Sequence, residues 1–118
     1  SIAVESGSAG EDAAEELGAT TVPVQSQANT LMEVASGTSD AAIIDLLMAG
    51  AMIGEGTSYP DLTYTDRLTE EEYGIGFKKG NTELRDKVQK TLDEMAADGT
   101  FEKIAEKWDL QDSVTLGK

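Results

Sequence analysis

Cysteine and histidine are both absent from this sequence. Disulfides and thiol nucleophiles are therefore excluded, as are a Ser-His-Asp relay and the usual zinc sites. The lack of cysteine does not fix a redox compartment. Basic residues are scarce: nine Lys and Arg stand against 23 Asp and Glu, for a net charge of −14. Binding to nucleic acid draws on clustered cations that displace counterions from phosphates, so that function class is set aside. An anionic membrane surface would repel the chain as well. Long apolar runs are also lacking, and none approaches the ~20 residues of a membrane span. The longest weakly polar stretch, Ala41 to Gly54, contains Asp45 and reads as a buried strand followed by a helix. The acidic excess serves solubility, and its summed field mildly favours cationic ligands.

What is present suits one domain. A chain of 118 residues can bury about two-thirds of its unfolded surface. Ile2, Ala3 and Val4 form a short strand that ends at the Ser6-Gly7-Ser8 turn. Ser8 reads as an N-cap with Glu11 at the third helical position, and the helix stops at Gly18. Thr21 to Val24 is a second strand. Pro23 cannot donate to a ladder, so this strand belongs at a sheet edge. Leu31, Val34 and Ala35 share one face of a helix that Gly37 ends. Ala41 to Ile44 is an apolar run typical of a buried parallel strand, with Asp45 at its carboxyl end. A helix over Leu46 to Ile53 follows. Leu62 to Thr65 and Tyr73 to Phe77 are further strand candidates.

Two helices close the chain. Leu84, Val88, Leu92 and Met95 recur at helical spacing behind a cap at Asn81 or Thr82, and Asp98-Gly99 stops them. Thr100 is expected to cap the last helix, where Phe101, Ile104, Ala105 and Trp108 share a face. Strands alternating with helices predict an α/β fold: a mostly parallel sheet with helices on both faces.

Ligands of open α/β sheets sit beyond the carboxyl ends of the strands. Two segments end there. Glu5-Ser6-Gly7-Ser8-Ala9-Gly10 joins a strand to a helix N-terminus, where small residues, free amides and the helix dipole suit a carboxylate. An ordinary capped turn explains the same residues. Asp45 at a buried strand end must meet solvent, a partner or a ligand, and it equally suits a helix N-cap.

Three stretches then point to a family. Residues 72–108, EYGIGFKKGNTELRDKVQKTLDEMAADGTFEKIAEKW, resemble the C-terminal end of the polar amino-acid binding proteins of ABC importers, family 3 of the solute-binding proteins. SGTSDAAIID (36–45) and IAVESGSAGED (2–12) look like ligand-facing segments of the same family in the same order. The resemblance implies the second lobe of a type II periplasmic binding protein plus its tail. It implies no enzyme activity, no cofactor and no metal. In the parent it implies a periplasmic or extracellular lipoprotein and an ABC permease as partner.

By that resemblance the amide of Ala9 and the hydroxyl of Ser8 would hold a ligand α-carboxylate. Ser6 and Gly7 belong to the same ligand-binding turn. The family more often has Thr where Ala9 stands, so one donor is missing here. Asp45 would accept from the α-ammonium, a charge-assisted bond that sets orientation. Glu5 would meet the ligand side chain and favour a cationic or amide-bearing one, such as arginine, lysine, ornithine or glutamine. The first lobe, which supplies an arginine and aromatic walls in the family, is missing. Neither Arg67 nor Arg85 matches that arginine. No signal peptide precedes Ser1, and the chain reads as a processed or cut fragment. Half a clamp leaves a ligand half-solvated, so weak or undetectable binding is expected.

The expected layout is a ligand-binding core over 1–70, a hinge-type strand over 71–80, a helix pair over 81–110 and a tail over 111–118. The expected strand order is 22–24, 2–5, 41–44, 73–77, 62–65, with 73–77 antiparallel. Three other readings stand beside this one. A receiver-like signalling domain needs paired acids after the first strand for Mg²⁺, and Glu5 stands there alone. Glycosidase-type chemistry by Glu5 and Asp45 rests on two acids in a very acidic chain. A folded or engineered single lobe without activity also fits. The terminal helices would expose a large apolar patch unless the chain folds back or swaps with a second copy. A monomer mass in size-exclusion chromatography at micromolar concentration is the outcome expected of fold-back; a doubled mass indicates the swapped dimer.

Overall fold

Three short apolar runs, each followed by a capped helix, build a small parallel sheet. The computed structural model describes residues 1–118 and divides them into two units, Ser1–Glu71 and Glu72–Lys118. In the first unit β1 (Ile2–Glu5), β2 (Thr21–Val24) and β3 (Ala41–Ala42) alternate with α1 (Ala9–Glu16), α2 (Gln27–Ala35) and α3 (Leu46–Met52). The sheet order is β2-β1-β3, and both pairings are parallel. Ile2 lies opposite Thr21 on one side and Ala41 on the other, while Glu5 lies opposite Val24. β2 is an edge strand, as Pro23 requires, because a residue without an N–H cannot serve a two-sided ladder.

Local chemistry explains each helix end. The Ser8 side chain accepts from the Glu11 amide at the start of α1. Ser26 does the same for Asn29 at the start of α2. Gly18 and Gly37, with φ of 69° and 79°, turn the chain out of α1 and α2. After α3, Thr57 donates its hydroxyl to the carbonyls of Met52 and Gly54 and closes a tight loop.

The core is thinner than the chain length led us to expect. In the first unit the buried apolar residues are Ala3, Val4, Ala13, Ala14, Leu31 and Ala49, and the largest fully buried side chains are Val4 and Thr30. Alanine lets α1 and α2 lie close on β1, yet each methyl contributes little apolar area. Leu17 and Met32 remain 62% and 56% exposed.

The α/β class with a parallel sheet is correct, and its first three strands stand in the expected order. The five-stranded sheet is corrected to three, because neither 62–65 nor 73–77 forms a strand. The physical reason differs for the two. Leu62 to Thr65 finds no ladder partner and runs into charged residues at Asp66 and Arg67. In 73–77, Gly74 and Gly76 supply no side chain to one strand face, while Tyr73 and Ile75 are 72% and 61% exposed.

The second unit holds α4 (Thr82–Asp98), α5 (Thr100–Lys107) and a 3₁₀ turn, Gln111–Ser113. Asn81 caps α4, its side chain accepting from the Leu84 amide. Gly99, at φ 82°, ends α4 and is also the residue from which α5 starts. Thr100 is therefore the first residue of α5 rather than its cap. Its amide donates to Asp98 Oδ1 at 2.8 Å. Hydrogen bonds from Thr100, side chain first and amide second, hold the Asp98 carboxyl below its ordinary value of 3.8. Ala105 is the buried apolar residue of this unit, and Leu84, Ile104 and Trp108 are exposed.

A carboxyl whose value is lowered by folding stabilises the folded form above its unfolded value and loses that contribution as pH falls through the folded one. The α4–α5 corner is thus expected to keep the Asp98 contribution above pH 3.8 and to lose it below. Amide exchange of Thr100 followed from neutral pH into acid should accelerate in that window. In Asp98→Asn it should be faster already at neutral pH and show no such acid step.

Candidate functional site

Because all three strands run the same way, their carboxyl ends share one sheet edge. The β1–α1 turn, the N-terminus of α2 and the start of α3 lie along it. Every residue singled out from the sequence falls in this set. Glu5 is the last residue of β1, half-buried, and makes no ion pair. Ser6 continues the ladder, its amide donating to the Val24 carbonyl at 2.9 Å. Gly7 then adopts φ 74°, a conformation that glycine takes without strain. The Ser8 amide closes the turn on the Glu5 carbonyl at 3.2 Å.

The amides of this turn are partly committed. Glu11 Oε2 accepts from Gly7 at 2.6 Å, so the reciprocal bond of the expected capping box reaches one residue before the cap. Ser8 Oγ accepts from the Glu11 amide at 3.2 Å, which leaves the hydroxyl proton available as a donor. Ala9 and Gly10 are the first two helical residues, and their amides have no partner inside the helix.

Asp45 caps α3. Its Oδ1 accepts from the Leu47 amide at 2.8 Å and the Met48 amide at 3.3 Å. The plain N-cap reading of Asp45 therefore holds.

Two contacts bring these segments together, and the sequence disclosed neither. A Cβ built on Gly10 would stand 3.1 Å from the Ile43 carbonyl oxygen and 3.2 Å from Ile43 Cγ2. The start of α1 therefore rests against the link between β3 and α3, two residues from Asp45. The second contact runs from α2: the Asp45 amide donates to Gln27 Oε1 at 2.9 Å. Gln27 was not among the residues selected from the sequence. A residue 18 positions away leaves no periodic trace, and only the strand order makes it a neighbour.

The charge around this edge is one-sided. From Ser1 to Asp66 there is no Lys or Arg, and Arg67 is the first basic side chain. An anion held here would depend on amides and hydroxyls, whereas a cation would meet an acidic surrounding. No group of carboxylates is clustered closely enough to hold a metal ion. A shallow hollow of about 330 Å³, lined in part by Lys78, Lys79 and Arg85, belongs to the second unit. The sheet edge is thus defined by its hydrogen-bonding groups rather than by enclosure.

Comparison with known proteins finds relatives over most of this chain. The model of the bacterial extracellular solute-binding proteins, family 3, matches residues 4–111. A protein of Escherichia coli K12 named for arginine binding by an ABC transporter is 32% identical over 95 residues, covering 75% of this chain and 38% of its own. The ABC transporter glutamine-binding protein GlnH of Bacillus subtilis is 31% identical over 94 residues, 80% of this chain and 34% of its own. The histidine-binding periplasmic protein of Salmonella typhimurium is 31% identical over 93 residues, 74% of this chain and 36% of its own. The chain thus spans little more than a third of the length of these relatives. No solved structure matches it.

The Gly10 contact generates a sharp expectation. Gly10→Val is expected to force α1 from Ile43 and to cost about 1–3 kcal/mol, the usual penalty for overpacking. Thermal or urea unfolding of the two chains measures it. Equal midpoints would mean that the approach of α1 to Ile43 is not close.

Proposed function

The chain belongs to the bacterial extracellular solute-binding proteins of family 3, and from that membership we propose that it forms one lobe of a clamp holding an amino acid for an ABC importer. Members of this family bind and deliver solutes and are not enzymes. The observation that carries the proposal is the gathering of an amide-bearing turn and a strand-end acid on one edge of a parallel sheet. The two features are chemically opposite, and a zwitterion needs both.

In this reading the amide of Ala9 and the hydroxyl of Ser8 donate to the α-carboxylate, while Ser6 and Gly7 shape the turn. The positive end of α1 adds to that attraction. Asp45 accepts from the α-ammonium with the carboxylate that also caps α3. Glu5 faces the ligand side chain and selects a cationic or amide-bearing one. The names of relatives that carry arginine, glutamine and histidine support this choice. So does the absence of basic side chains up to Asp66.

A second lobe would complete the clamp, and ligand-driven closure would present both lobes to a membrane permease. The parent then works outside the cytoplasmic membrane, where its periplasmic relatives work. One lobe alone leaves much of the ligand in water and gives up the contacts of the other, so binding by this chain is weak. Its residues beyond about 71 act as a hinge-type segment, a helix pair and a tail.

Titration with L-arginine followed by ¹H–¹⁵N NMR tests the clamp. Shift changes should concentrate at Ser8, Ala9 and Asp45, with a dissociation constant on the order of millimolar or weaker. Saturating arginine that moves none of these three signals would overturn the reading. Glu5→Gln should weaken arginine about tenfold and change glutamine far less, since it removes one charge-assisted bond. Unchanged arginine affinity in that variant removes Glu5 from the side-chain subsite.

A further inference from the structure

We propose that Gln27 is a positioning residue that fixes Asp45 for the ligand α-ammonium. The inference rests on the reading of Asp45 as ammonium acceptor and adds to it a residue from another helix. Gln27 is the first residue of α2, and its Oε1 accepts from the Asp45 amide at 2.9 Å. This is a side-chain bond across 18 residues, joining the α2 start to the α3 start.

Asp45 needs such an anchor. β3 is only two residues long, and beyond it the Ile43 amide donates to the Ala3 carbonyl at 3.1 Å. α3 has seven residues, too short to hold its own start rigidly. Asp45 is half-buried, and its amide at the cap position lies outside the helical hydrogen-bond ladder. A half-buried amide of this kind calls for an acceptor. Gln27 supplies it.

The backbone of Gln27 is itself held at the start of α2. Ser26 caps its helix through the Asn29 amide. Thr30, fully buried, donates its hydroxyl to the Gln27 carbonyl at 2.6 Å. A line of hydrogen bonds therefore runs from buried Thr30 through Gln27 to the backbone of the strand-end acid. Loss of the glutamine oxygen frees the Asp45 backbone to turn, and the carboxylate turns with it. The carboxylate-binding turn at Ser8 and Ala9 lies on α1 and makes no hydrogen bond with Gln27.

The test compares two ligands that differ in one group. L-arginine carries the α-ammonium; 5-guanidinopentanoate has the same carboxylate and guanidinium without it. Both are titrated into the full chain by NMR, and the ratio of their affinities is the readout. Gln27→Ala and Gln27→Met, the latter of similar length but without the acceptor, should each lower arginine affinity about fivefold and leave 5-guanidinopentanoate unchanged. Gln27→Glu, which keeps an acceptor, should restore the ratio. A merely structural role would weaken both ligands together, and that result overturns the proposal. Asp45→Asn separates the two levels. If it lowers the ratio while Gln27→Ala and Gln27→Met do not, Gln27 has no positioning role. If it leaves the ratio unchanged, or the unsubstituted chain binds neither ligand, the reading of Asp45 falls and the inference with it.

Discussion

Everything at the sheet edge depends on the parallel pairing of β1 with both its neighbours. With Ile2 in register with Thr21 and with Ala41, each strand delivers its carboxyl end to the same side. Each following turn then opens there, and each following helix begins there. An antiparallel neighbour would send its turn to the opposite edge. The amides of the Ser8–Gly10 turn and the carboxylate of Asp45 would then have no common side. Strand direction thus acts before any individual contact, and the side chains refine what it has already arranged.

Much of this was legible in the sequence, because small local devices marked it. Ser8 with Glu11, and Asn81 ahead of Leu84, announced helix starts through side chains that reach backbone amides two or three residues on. Gly18, Gly37 and Gly99 announced helix ends through left-handed backbone. Pro23 put β2 at an edge. Such signals act within a few residues, so one sequence carries them in full. The strands expected at 62–65 and 73–77 had the right alternation but no ladder to join. Pattern describes a strand, and pairing makes one. Gly74 and Gly76 already weakened the second of these, and they stood in plain view.

The site was legible in its parts and hidden in its assembly. Glu5, the Ser6–Ala9 turn and Asp45 were each visible at a strand end. The closeness of Gly10 to Ile43 and the bond from Asp45 to Gln27 depend on how strands are ordered, and no local pattern encodes them. Asp45 also shows that two readings of one residue can share a geometry. The same carboxylate that caps α3 lies on the sheet edge that carries the Ser8–Gly10 turn. The two capping amides and the Gln27 oxygen all meet at this one residue.

The alanine-lined interior has a consequence for how this protein responds to temperature and solvent. Ala3, Ala13, Ala14 and Ala49 expose little new hydrocarbon when the chain opens, and Leu17 and Met32 are largely wet beforehand. The heat-capacity increment of unfolding and the denaturant slope both scale with newly exposed surface. Both are therefore expected to be smaller than for a chain of this length with a core of large side chains. A smaller heat-capacity increment flattens the dependence of stability on temperature.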